Sequence, residues 1–381
     1  MRNVASDSEG TDALRAHAMS RSLPLALVLL LSALLATGCA TTSGGRSDDP
    51  RAETLRIQTD DGWGLAMRHI SPEGPVRGRP VLLVPGLASG DVSLVLEPDH
   101  SLAWWLAAHG REVWTVALRG TGNSDRTDAA AGRPPGYGFD TLWREDLRAA
   151  LRTVRARTGA DEVDVVAYSL GALLLYAYLA EDGDGIGAAV AMAGPTRMDR
   201  SGTWLKGLAR VGDRLVSRED TLDMGFLASL TAPVQAYLRG NPVERIALNA
   251  HNTPRERWRR FAGCVFGELS GGVARDLIRM VQTGRFSNSD GSRDYRAGLG
   301  HVRVPVLVMA GEGDSVAPVS AVRDGYLALG GPKAWRLLGT SEGLAADYGH
   351  VDVVIGERAP YEVWAPLLEF LDRAAAGRTV Q

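Results

Sequence analysis

Cysteine and histidine are scarce in this chain. Its 381 residues carry two cysteines and seven histidines, too few and too scattered for a zinc framework, so no metal is expected. Positive charge is not in excess either: 42 Lys and Arg stand against 45 Asp and Glu, a net charge of −3, and nothing in that balance asks for nucleic acid. There is no internal repeat. The G-x-G at Gly120 to Gly122, after a strand, lacks a third glycine and a following helix, which excludes a dinucleotide site and leaves a positioning turn. What remains, 45% hydrophobic and 23% charged, is an ordinary globular chain of one large or two small domains.

The apolar run Leu23 to Leu35, about a dozen residues, is too short to cross a bilayer and follows Arg15 and Arg21 as the core of a signal peptide does. Residues 1–18 are acidic for such a leader, which makes Met19 an alternative start. The residues before Cys39, Leu34-Leu35-Ala36-Thr37-Gly38, resemble the lipobox of bacterial lipoproteins. That resemblance implies a lipidated Cys39 as mature N-terminus and attachment to a membrane of the bacterial cell envelope, at the periplasmic face of the outer membrane. A plain secretory signal is the alternative. With lipid on Cys39 no intrachain disulfide is expected, although export leads to an oxidising compartment. Residues 1–39 are therefore read as leader and 40–51 as a polar tether.

Beyond the tether, Asp60-Asp61-Gly62 turns a hairpin between Leu55–Thr59 and Trp63–His69. Buried-type strands follow at Pro80–Val84, Val113–Leu118, Val163–Ala167 and Ile186–Met192, alternating with helices, one of them capped by Asp140 and stopped at Gly159. This β-α-β order implies a mostly parallel sheet, eight-stranded when complete and covered by helices on both faces. From Pro195 to Gly300 amphipathic pieces (Leu222–Leu238, Arg255–Phe266, Val273–Val281) succeed each other without a convincing strand. Residues 52–194 and 301–376 are thus expected to form one core and 195–300 a helical cap inserted after the sixth strand, with 377–381 a tail. Strands resume at Val304–Ala310 and Ala334–Leu338.

Strand Val163–Ala167, the corner Tyr168-Ser169-Leu170-Gly171 and the apolar helix behind it spell a nucleophile elbow. Ala167 and Gly171 supply the small residues that a strained turn needs where strand and helix pass closely. Gly339-Thr340-Ser341-Glu342-Gly343 matches G-x-S-x-G more literally, but no helix has room to follow it, so Ser341 is read as a decoy.

A serine hydroxyl needs a neutral imidazole to take its proton, and the imidazole needs a carboxylate to fix its tautomer. His350 lies in a loop after the last strand, on the same sheet edge as Ser169; the other histidines lie in the leader, the hairpin, an early helix, the cap or before a strand. For the acid, Gly311-Glu312-Gly313-Asp314 follows its strand at that edge. Asp314 is the choice, Glu312 the reserve, and Asp352 is too close in sequence to reach the ring. The glycine-bearing loop Pro85–Gly90 is placed to aim a backbone N–H at an oxyanion.

PGLASG, RGTGNSD, AYSLG, VPVLVMAGEGDSVAP and DYGHVD, in that order between Leu55 and Ala374, resemble the α/β-hydrolase superfamily. SLAWWLAAHGREVWTVALRG and the ending GHVDVVIGERAPYEVWAPLLEFL are similar to lipases of the gastric type and to polyhydroxyalkanoate synthases; the synthases alone carry cysteine where this chain has Ser169. The resemblance implies an α/β-hydrolase fold, an oxyanion hole from the N–H groups of Leu87 and Leu170, and no cofactor. It also implies hydrolysis of carboxylic esters, small or lipid, through an acyl-enzyme. An acyltransferase related to the synthases and a non-catalytic lipid-binding lipoprotein are the alternatives.

Overall fold

The computed structural model describes residues 51–200, 203–226 and 242–378; the apolar leader, Cys39 and nearly all of the tether lie outside them. β1 (Ala52–Gln58) and β2 (Gly64–Ile70) form the expected hairpin, with Gly62 at φ 86° in its turn. β3 (Val81–Val84), β4 (Val113–Val116), β5 (Val163–Tyr168) and β6 (Ile186–Met192) are buried along their whole length. Both faces are covered, which is why they spell as continuous apolar runs. β7 (Thr221–Asp223) and β8 (Glu268–Ser270) pair separately, and β9 (Val306–Gly311) and β10 (Lys333–Leu338) return to the main sheet.

That sheet has eight strands in the order β1-β2-β4-β3-β5-β6-β9-β10, antiparallel at β1–β2 and β2–β4 and parallel elsewhere. The consequence of this order is positional. β3, β5, β9 and β10 all run out at one edge, where ligands bind in open parallel sheets.

Helices α1 (Leu102–Ala108), α2 (Arg148–Thr158), α3 (Leu170–Glu181), α7 (Val319–Ala328) and α8 (Ala365–Ala375) flank the sheet, and α4 (Thr203–Leu215), α5 (Arg255–Cys264) and α6 (Gly271–Thr283) lie in the segment between β6 and β9, with α4 packed on α6. α3 is apolar all round and buried from Leu170 to Leu179, as a helix in the middle of a fold must be. α2 ends at Gly159, left-handed at φ 70°, whose N–H returns to Arg155 O at 2.9 Å. The glycine turn after β4 holds the buried Arg119 between Asp146 (2.6 Å) and Asp61 (2.7 Å), its guanidinium 4.7 Å from the Trp63 ring centre. It is a positioning turn, as read.

Two expectations are corrected. Residues 195–300 are not strand-free: Thr221–Asp223 pairs with Glu268–Ser270, so Leu222 and Asp223 do not begin the helix Leu222–Leu238 expected from the sequence, of which 227–238 lie outside the described residues. Asp140 does not cap its helix. The helical run starts at Phe139 after Gly138, and the N–H of Phe139 donates to Asp276 Oδ2 of α6 at 2.9 Å, while Asp140 accepts from Tyr295 Oη (2.6 Å) and Ser289 N (3.0 Å). A carboxylate from 137 residues away satisfies the terminus that a local one was expected to serve. Cys264 ends α5, and the other cysteine, Cys39, lies outside the described residues, as does the expectation about a disulfide that depends on it.

Candidate active site

Ser169 joins β5 to α3 at φ 55° and ψ −116°, a conformation that a residue with a β-carbon adopts only when its surroundings insist. Its N–H donates to Met192 O on β6 at 2.9 Å, and its carbonyl accepts from Leu173 N at 3.3 Å. Behind it, a β-carbon on Gly171 would stand 2.5 Å from Pro85 O and 2.7 Å from Val84 O. Those are backbone atoms of β3 and its exit, so only glycine fits. Ala167, fully buried and paired with Val84 on one side and Ala191 on the other, has the same constraint in milder form.

The hydroxyl of Ser169 lies 2.8 Å from His350 Nε2, and His350 Nδ1 lies 2.8 Å from Asp314 Oδ2. Asp314 is fully buried, and its other oxygen accepts from the N–H groups of Val316 (2.8 Å) and Ala317 (2.7 Å). The carboxylate is thereby fixed in rotation as well as position. Beside them the Tyr168 ring is centred 5.2 Å from that of His350, and burial, with Asp314 and Asp352 near, holds its phenol well above the ordinary value, so it stays neutral.

The competing residues lie elsewhere. Ser341 is exposed on a single 3-10 turn, its N–H bonded to Glu312 Oε2 at 3.1 Å, which also accounts for Glu312. His69 stacks on Trp114, His109 stacks on Trp105, and His100 bonds Gly356 O at 2.9 Å. His251 and His301 are exposed. Among the described residues His350 is the histidine that meets a serine at the sheet edge.

Leu87 follows Gly86 in the loop after β3, and the next residue, Ala88, is left-handed at φ 50°. Leu170 opens α3, where the first N–H groups have no partner inside the helix and face developing negative charge with the helix dipole behind them. Residues of the inserted segment strap this edge. Gly90 N donates to Val265 O (2.9 Å), Gly267 N to Ala88 O (2.8 Å) and Glu268 N to Gly120 O (2.8 Å). A narrow cavity of about 20 Å³ beneath the strap is lined by Gly86, Ala88, Leu118, Tyr137, Leu170 and Leu269. No three His, Cys, Asp or Glu side chains stand together to hold a metal among the described residues.

Sequence reasoning passed over one residue at this edge. Asp352, dismissed as a partner for the ring, is fully buried and accepts from Gly349 N (2.9 Å), Asn249 N (3.2 Å) and Asn252 Nδ2 (3.3 Å). Burial pushes its carboxyl up to about 6, against the pull of those donors. With Val351 N on Ala247 O at 2.9 Å, it clasps the His350 loop to the inserted segment. An acid two residues after a loop histidine was the available signal; its donors are distant in sequence and were not.

Known proteins show the same frame. Triacylglycerol lipase 1 of Arabidopsis thaliana is 25% identical over 368 residues, covering 82% of this chain and 85% of its own. Among solved structures, a bacterial membrane phospholipase A superposes with a TM-score of 0.55 at 16% identity, covering 96% of this chain and 99% of that one. A thermophilic esterase from Thermogutta terrifontis does so with a TM-score of 0.56 at 17% identity, covering 85% and 99%. The family model for the alpha/beta hydrolase fold matches residues 79–329, from the entry to β3 through the end of α7, and the chain belongs to that family.

Proposed function

We propose that this protein is a serine hydrolase of carboxylic esters with apolar acyl groups. The observation that carries the reading is the unbroken line from Ser169 Oγ to His350 Nε2 and from His350 Nδ1 to Asp314 Oδ2, each gap 2.8 Å, on a strained elbow. The lipase, phospholipase and esterase among its relatives support the substrate class. Ser169 attacks the ester carbonyl while His350 takes its proton; Asp314 keeps Nδ1 protonated and offsets the imidazolium charge. The N–H groups of Leu87 and Leu170 stabilise the tetrahedral oxyanion. His350 then protonates the leaving alcohol, and water activated by the same ring releases the acyl-enzyme.

Residues 195–300 act as a cap in this reading. A cavity of about 20 Å³ holds little more than one water, so an acyl chain enters only when the strap at 265–270 gives way. The reading also includes export to the bacterial cell envelope, with Cys39 lipidated and the protein held at the periplasmic face of the outer membrane. It rests on the apolar run and the residues before Cys39.

A fluorophosphonate label will attach to Ser169 alone. Ser169→Ala will lose about a million-fold in kcat and Asp314→Asn roughly ten-thousand-fold, with Ser341→Ala near wild type. Labelling at Ser341, or an active Ser169→Ala protein, overturns the assignment.

A further inference from the structure

We propose that the outer face of α4 is a docking surface for an anionic lipid bilayer. Leu208, Val211 and Leu215 are spaced by three and four residues, so they share one stripe, and they are exposed by 60%, 54% and 75%. Single exposed apolar residues need no explanation, but three aligned on one helix do. The inner face of the same helix is already committed. Ala209 is buried, Gly212 packs so closely that a β-carbon would lie 3.0 Å from Ile278 Cδ1, and Asp213 pairs with Arg275 of α6 at 2.9 Å. The outer stripe is therefore left over after packing, not turned outward for want of a partner.

Beside it runs a row of cations. Lys206, Arg210 and Arg214, four residues apart, are exposed, and none pairs with a carboxylate among the described residues. An apolar stripe with a basic flank is the composition of helices that lie in a membrane surface, and it matches negative headgroups over aliphatic chains. A second copy docking face to face would bring two such rows together, so like charges would oppose it. No described helix is long and apolar enough to cross a membrane, so the contact is one of lying on the bilayer. Nor is it a lid, because no α4 residue lines the cavity beside Ser169.

The proposal deepens the ester-hydrolase reading and rests on it only for why a lipid surface matters. It is tested on the full chain carrying Ser169→Ala, so that contact does not depend on turnover, with a benzophenone amino acid in place of Leu208. Illumination with phosphatidylglycerol vesicles will yield adducts to lipid, with phosphatidylcholine vesicles far less effective. Lys206→Glu, Arg210→Glu and Arg214→Glu together will raise the half-maximal vesicle concentration by on the order of a hundredfold, at about fivefold per cation. The same three changes in the Ser169 protein will leave turnover of a water-soluble ester unchanged, which shows that the fold is intact. Adducts to a second copy or to residues 227–241, equal yields with both lipids, or no adduct would each overturn the proposal. If lipid adducts form while the Ser169 protein cleaves no ester, the hydrolase reading falls and the docking surface stands.

Discussion

At Ser169 the backbone is held at φ 55° by neighbours that leave no alternative: β6 takes its N–H, and the carbonyls of Val84 and Pro85 close on Gly171. Small residues two before and two after were readable because the steric demand is local. Asp352 was not, because its worth comes from Gly349, Asn249 and Asn252 converging on a buried carboxylate. Its raised pKa carries a definite sign. A carboxyl that titrates near 6 in the fold and at 3.8 outside it binds its proton more tightly when folded. The stability this contributes is fully present below about pH 4 and lost as pH rises through 6. Asp352→Asn cannot ionise, so from about pH 4 to about pH 6 the wild type will lose up to about 3 kcal/mol relative to the variant. Urea unfolding of both proteins at several pH values measures the difference, and a flat difference would show that the buried carboxylate is not perturbed.

The helical run from Phe139 shows what an element owes to remote partners. Gly138 offers no side chain to its first turn, and the buried Asp276 supplies the acceptor while also holding Ser289 Oγ (2.5 Å) and Arg218 (3.1 Å). Asp276→Ala removes a helix cap and leaves two further donors unsatisfied, so it will destabilise the protein by about 2–3 kcal/mol, read from the urea midpoint at constant slope. Asp276→Asn keeps an acceptor for Phe139 N–H and will recover part of that loss. Periodicity found the helix and its Gly159 end because apolar spacing and a left-handed glycine are written in the segment itself. Its beginning was misread because the capping group belongs to α6. β7 and β8 were missed for the same reason: each is three residues long, too short for a pattern, and exists by pairing across the insertion.

For the whole molecule, the proposed function has the inserted segment and the leader decide where the chemistry takes place. Export with a lipid on Cys39 predicts that Cys39→Ser moves the protein from the membrane to the soluble fraction, and membrane association unchanged in that variant would remove the anchor. A sulfur that carries lipid cannot share a disulfide, so the intact mass of the mature protein, with and without reductant, decides between acylation and pairing with Cys264. The sheet, the order Ser169, Asp314, His350 and the rejection of Ser341 could all be argued from the string of residues. Each depends on a run of apolar residues, a steric need within one turn, or the rule that parallel strands share an exit edge. Tertiary structure alone brought Asp276 to the start of a helix 137 residues away, strapped residues 265–267 over the loop after β3, and drew Asp352 into a clasp on the histidine loop. These are contacts between side chains and backbone that only the packed fold brings within hydrogen-bond range, and short-range pattern carries no record of them.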